Sequence, residues 1–120
     1  MQAKTNDTTT RRGHEAETLA ARYLEAHGLR LLERNFRVRG GEIDLICRDA
    51  RTLVFVEVRL RCRADFGGAA ASITSAKQRR IILAARHYLA GRADCDCRFD
   101  CVLLDGKQLE WIRNAFSADA

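Results

Sequence analysis

GGEIDLICRDARTLVFVEVRLRCR, residues 40–63, decides the fold of this 120-residue chain. Two runs with strand character flank a short polar connection, RDAR, of hairpin length. In EIDLIC the side chains alternate, which predicts Glu42, Asp44 and Ile46 on one face and Ile43, Leu45 and Cys47 on the other. LVFVEVRL begins apolar on both faces, the pattern of a strand in the middle of a sheet. Gly40 and Gly41 supply the turn that precedes the hairpin. Glu42, Asp44 and Glu57 stand inside these strands, and their presence needs a reason.

Outward from the hairpin, residues 1–10 are polar, threonine-rich and aperiodic, which predicts a disordered tail before one domain over residues 11–120. A helix is predicted after Gly13, with an apolar stripe of Ala16, Leu19, Ala20, Tyr23, Leu24 and His27 and a stop at Gly28. A strand follows near residues 31–37. Beyond the hairpin, RCRADFGGAAASIT reads as a loop. Thr74 or Ser75 then caps a second helix that ends at Gly91. Its apolar stripe is Ile81, Ile82, Ala85, Tyr88 and Leu89, and Arg79, Arg80, Arg86 and His87 form a basic surface. CRFDCVLLDG reads as a strand and KQLEWIRNAF as a short closing one, with Trp111 in the core. The order is α-β-β-β-α-β-β, an α/β chain. Short connections make the first three strands antiparallel, whereas the second helix permits a crossover to a parallel neighbour.

No apolar run reaches the roughly 18–20 residues that span a bilayer, and MQAKTNDTTTRRG lacks the apolar core of a secretory signal. These features point to a soluble cytoplasmic protein with no membrane partner. The five cysteines are odd in number and contain no C-x-x-C pair, so buried thiols fit better than structural zinc. Residues 11–93 hold 17 basic and 9 acidic side chains, a net of +8, although the whole chain carries only +5. Eighteen of the 21 basic residues are arginine, the side chain suited to bidentate phosphate contact. A polyanion partner and a merely arginine-rich soluble surface both fit this charge.

Period two places Glu57 and Arg59 on one face of their strand, as it does Glu42 and Asp44 on theirs. In a matching register, three carboxylates and one guanidinium converge at one end of the sheet. Burying such a cluster is costly unless it is neutralised. A hard divalent cation held by two carboxylates and water would neutralise it and could polarise a phosphodiester. Solvent-facing strand carboxylates paired with arginine fit the same spacing.

RGGEIDLICRD, LVFVEVRLR and FGGAAASITSAKQRRIILAARHYLA, preceded by RRGHEAETLAARYLEAHGL and followed by CRFDCVLL, together resemble the YraN family of small bacterial proteins. That family is similar to archaeal-type Holliday junction resolvases and to the restriction-endonuclease-like superfamily with its D…(D/E)-x-K signature. The resemblance implies a restriction-endonuclease-like fold, with a mixed central β-sheet of about five strands flanked by helices. It implies metal-dependent attack of water on a phosphodiester of DNA, branched or structured, with Mg2+ or Mn2+ as cofactor. Asp44 and Glu57 would be the metal ligands, helped by the backbone carbonyl of Val58. Glu17 would match the resolvases' helix glutamate, and Glu42 would orient a water or a basic side chain. Arg59 stands at the signature lysine position, where a guanidinium can hold phosphate but cannot give up a proton. Lys77, in the family's K-x-x-R string, would place an ammonium near the same site or contact backbone phosphate, with a solvent-facing lysine as the alternative, and Arg79, Arg80 and Arg61 would contact nucleic acid. The FGG at residues 66–68 reads as a flap with Phe66 free to stack on a base, or as an ordinary loop. Junction resolvases cut two opposed strands as symmetric dimers, which makes a homodimer an arrangement to look for. A nucleic-acid-binding module with a degenerate site, and a scaffold with no nucleic-acid role, are the alternatives.

Overall fold

A computed structural model describes residues 3–60, 73–106 and 108–118, with side chains from Gly13 onward. Helix α1 (Ala3–Ala26) precedes strands β1 (Arg30–Val38), β2 (Gly41–Asp49) and β3 (Thr52–Leu60), and helix α2 (Ser75–Leu89) precedes β4 (Cys97–Asp105) and β5 (Gln108–Phe116). The strands form one sheet in the order β1-β2-β3-β4-β5. All neighbours are antiparallel except β3 and β4, which α2 links as a parallel pair. The α/β class, the mixed five-stranded sheet and the element order thus agree with expectation.

The two helices cover opposite faces of the sheet. Ala16, Ala20, Ala21 and Leu24 of α1 pack on Leu45, Cys47, Val54, Val56, Val102 and Leu104. Ile81, Ala84, Ala85 and Tyr88 of α2 pack on Ile43, Ile46, Leu53, Phe55 and Phe99. Alternation on β3 explains the division, since Val54 and Val56 face α1 while Leu53 and Phe55 face α2. Covered on both faces, β3 is the central strand that its apolar start predicts.

Several local expectations are corrected. The backbone of α1 is helical from Ala3, ahead of the start expected after Gly13. A helix already nucleated by its packed half extends at one hydrogen bond per added residue, which favours such growth. Leu19 is 51% exposed and does not belong to the buried stripe, which runs through Ala16, Ala20, Ala21 and Leu24. Small side chains let α1 sit close to the sheet, and Leu19 falls on the helix flank. Ile43 packs with Ile46 on the α2 side rather than with Leu45 and Cys47. The β2–β3 ladder ends at Leu45 and Val56 while β2 stays paired with β1 as far as Gly41, and Asn35, opposite Asp44, has φ +54°, so the alternation of β2 is interrupted at that level. β5 has nine residues and is not short. Cys47 and Cys101 are buried, whereas Cys95 and Cys97 are exposed. Arg61, Cys62 and the Phe66 loop lie outside the described residues.

α2 approaches β2 closely at Gly41. A Cβ at Gly41 would lie 2.5 Å from the Arg80 carbonyl oxygen and 3.1 Å from the Ala84 nitrogen, inside contact distance of helix backbone. Any side chain there pushes the helix off the strand. Gly41→Ala is therefore expected to cost about 1–3 kcal/mol of folding stability, as overpacking does elsewhere. Urea denaturation followed by fluorescence of Trp111, the one tryptophan, measures it.

Candidate active site

The site forms where β2 leaves β3. Ladder pairing stops at Leu45 and Val56, so the next residues in register, Asp44 and Glu57, face each other across a widening gap. Asp44 Oδ2 accepts the Val58 N–H at 2.8 Å, which ties β2 to β3 in place of a backbone bond. The Glu57 carboxyl stands near enough to Asp44 to feel its charge. α2 closes the site from above. Thr74 caps it by accepting the Lys77 N–H at 3.1 Å, which orders the first turn. Lys77 Nζ then reaches Glu42 Oε1 at 3.4 Å and Glu57 Oε2 at 3.7 Å. A lysine in the first turn of a helix opposes the helix dipole, so these two carboxylates account for its position.

Two acidic residues are buried among the described residues, Glu57 and Asp100, and they differ in chemical state. Asp100 is fully satisfied. It accepts from Arg98 Nε at 3.1 and 3.2 Å, from Trp111 Nε1 at 3.0 Å and from the Asn114 N–H at 2.9 Å. Arg98 carries one buried nitrogen, Nη2, without a partner, while its Nε and Nη1 bind Asp100 and Asp49. This cluster is an architectural clamp between β2, β4 and β5. Glu57 Oε1, by contrast, is buried with no protein partner. Burial first, and then the Asp44 charge, raises the Glu57 carboxyl from the ordinary 4.5 to about 8, against the opposing pull of Lys77 and Arg59. In the parallel neighbour β4, Cys101 sits beside Glu57, and burial pushes its thiol up to about 12.

The expected site residues divide into three groups. Val58 donates its N–H to Asp44 and Lys77 stands 3.7 Å from Glu57, while Asp44 and Arg59 act on Glu57 as nearby charges. Glu42 does not join the carboxylate pair. Its Oε1 is taken by Lys77 and by Arg80 Nη2 at 3.2 Å, so three converging carboxylates are replaced by two carboxylates and an ammonium. Glu17 lies on α1, where its Oε1 accepts from Asn35 Nδ2 at 3.1 Å and stands 3.6 Å from Arg34 Nη2. Arg79 is exposed on α2, and Arg80, though paired with Glu42, is 55% exposed at its side chain. Asn35 and Asp100 were not singled out from sequence. Each is a polar residue inside an otherwise strand-like run, RNFRV and RFDCVLL, and that interruption is the signal they leave.

Among the described residues no three His, Cys, Asp or Glu side chains form a metal cage. Two adjacent carboxylates with an orphaned buried oxygen nevertheless fit a hard divalent cation that keeps several waters. Among the described residues no helix is long and apolar enough to cross a membrane.

Residues 16–104, which include both carboxylates and all of α2, match the model of a family described as Uncharacterised protein family UPF0102. The chain belongs to the UPF0102 family. A UPF0102 protein of Dechloromonas aromatica is 74% identical over 119 residues, covering 99% of each chain. One of Nitrosomonas europaea is 59% identical over 109 residues, 88% of this chain and 92% of its own. One of Aeromonas hydrophila is 53% identical over 109 residues, 88% of this chain and 84% of its own. The UPF0102 match agrees with the resemblance read from the sequence motifs.

The shifted Glu57 gives a pH signature. The unfolded chain releases this proton near 4.5 and the folded chain holds it to about 8. Between those values the folded state binds more protons, so the Glu57 contribution to stability is lost as pH rises through the window. Glu57→Gln removes this loss. The variant is expected to melt above the wild type at pH 8 in chelator, with the gap narrowing toward pH 5, in thermal denaturation across that range.

Proposed function

We propose that this protein is a metal-dependent nuclease acting on DNA, branched or structured, with Asp44 and Glu57 holding Mg2+ or Mn2+. The supporting observation is Glu57 Oε1, buried and unpartnered, with Asp44 opposite Glu57 in the register where the two strands part. A bound divalent ion would supply charge neutralisation of the phosphodiester and acidification of a water. Asp44, fixed by the Val58 N–H, holds its carboxylate in one orientation. Glu57 would hold the ion as a carboxylate, the form that the positive charges of Lys77 and Arg59 favour. Arg59 remains protonated and stabilises negative charge developing at phosphorus. The exposed Arg79 and Arg86 and the half-exposed Arg80 lie along α2, suited to phosphate contact beside the site. Two copies would be needed to cut opposed strands of a junction.

A second reading, a nucleic-acid-binding module without turnover, draws on Arg59 at the signature lysine position. The two readings separate in one set of measurements on full-length protein. For the nuclease, Mn2+ binding appears in calorimetry, cleavage of branched DNA requires Mn2+ or Mg2+, and Asp44→Asn abolishes both while the melting curve stays cooperative. Arg79→Ala weakens DNA binding and lowers the slope of log K against log salt by about 0.9, the value of one phosphate contact. Absence of Mn2+ binding together with no cleavage of branched, flapped or single-stranded DNA contradicts the nuclease, and retained salt-dependent binding then favours the module.

A further inference from the structure

We propose that Asn35 is a positioning residue, its left-handed backbone and side-chain amide together holding Glu17 of α1 beside the Asp44 strand. This inference rests on the cation-site reading of Asp44 and Glu57. Asn35 lies in the middle of β1 with φ +54°, a region that L residues seldom enter within a strand and that asparagine tolerates best. It stands between Arg34, which pairs with Leu45, and Phe36, which pairs with Ile43, and is therefore opposite Asp44 in the register. The left-handed residue of β1 thus falls level with the point where β2 leaves β3. On its other side, Asn35 Nδ2 donates to Glu17 Oε1 at 3.1 Å. Arg34 reinforces the link, its Nη2 donating to the His14 carbonyl at 3.3 Å and standing 3.6 Å from Glu17. Gly13, His14, Glu17, Asn35 and Arg37 line a cleft of about 380 Å3 between α1 and β1.

Asparagine combines two properties that no close substitute shares. Glycine accepts the backbone angle but offers no donor, alanine does neither, and aspartate accepts the angle but presents an oxygen to the Glu17 carboxylate. A residue chosen only for a bend would not need the amide. Backbone strain of this kind persists where surrounding structure enforces it, and here it orients a carboxylate on a separate element.

Mn2+ affinity by calorimetry and thermal melting of the full chain test the proposal. Asn35→Gly is expected to keep the melting temperature and weaken Mn2+ binding about tenfold or more, the usual cost of losing a supporting hydrogen bond at a metal site. Asn35→Asp loses both stability and affinity. The exchanged pair Glu17→Gln with Asn35→Asp restores a hydrogen bond between the same positions with donor and acceptor reversed. It regains the melting temperature but not the affinity, because the carboxylate has moved from α1 to β1. Wild-type affinity in Asn35→Gly, or recovery of affinity along with stability in the exchanged pair, overturns the proposal. If Asn35→Gly does not fold, Glu17→Gln decides, with wild-type Mn2+ affinity overturning the proposal and a loss of about tenfold supporting it. Binding that is lost in Asp44→Asn yet untouched by Asn35→Gly leaves the cation site standing and removes only the role of Asn35. No Mn2+ binding by the wild type removes both.

Discussion

Two acidic side chains, Asp44 and Glu57, stand opposite each other at the point where β2 leaves β3, and the surrounding structure keeps them there. Like charges near each other and largely out of water repel, so the arrangement requires compensation. Asp44 draws it from the Val58 N–H, a hydrogen bond to a charged group worth roughly 1.5–3 kcal/mol. Glu57 draws it from Lys77 and Arg59 only in part, and burial together with Asp44 holds its proton on to about 8. A cation between the two would remove the repulsion and give the orphaned Glu57 Oε1 a partner.

α2 belongs to the same arrangement. Its approach to β2 depends on the missing side chain of Gly41, and its cap at Thr74 fixes the turn that carries Lys77. Lys77 against the helix dipole and Asn35 in a left-handed conformation both break a local rule. Both lie at the edges of the carboxylate site, which is where such local costs are expected to gather. Asp100 is the contrasting case. It is buried more deeply than Glu57, yet four donated hydrogen bonds from three residues leave it nothing further to bind.

Periodicity made the sheet legible. LVFVEVRL identified β3 as central, and connection lengths alone separated the antiparallel hairpins from the one parallel crossover. Asp44 and Glu57 could be paired from sequence because a short hairpin admits few registers. Glu42 was expected to orient a water or a basic side chain, but which basic residues it meets was not legible, since Lys77 and Arg80 lie 35 and 38 residues away on a helix whose seating depends on Gly41. Ile43 was misplaced because strict alternation assumes regular strands, whereas here the β3 pairing ends at Leu45 and the β1 residue opposite Asp44, Asn35, is left-handed. Leu19 shows the complementary limit, in that a helical stripe one residue too wide still satisfies the spacing of hydrophobic residues.

Anomalous diffraction from a crystal soaked in Mn2+ at pH 8, where Glu57 can release its proton, tests the carboxylate pair most directly. A peak bridging Asp44 and Glu57, with oxygen ligands near the roughly 2.0–2.2 Å typical of a small divalent ion, is expected. A crystal in which the ion occupies other carboxylates while Asp44 and Glu57 hold none would contradict it.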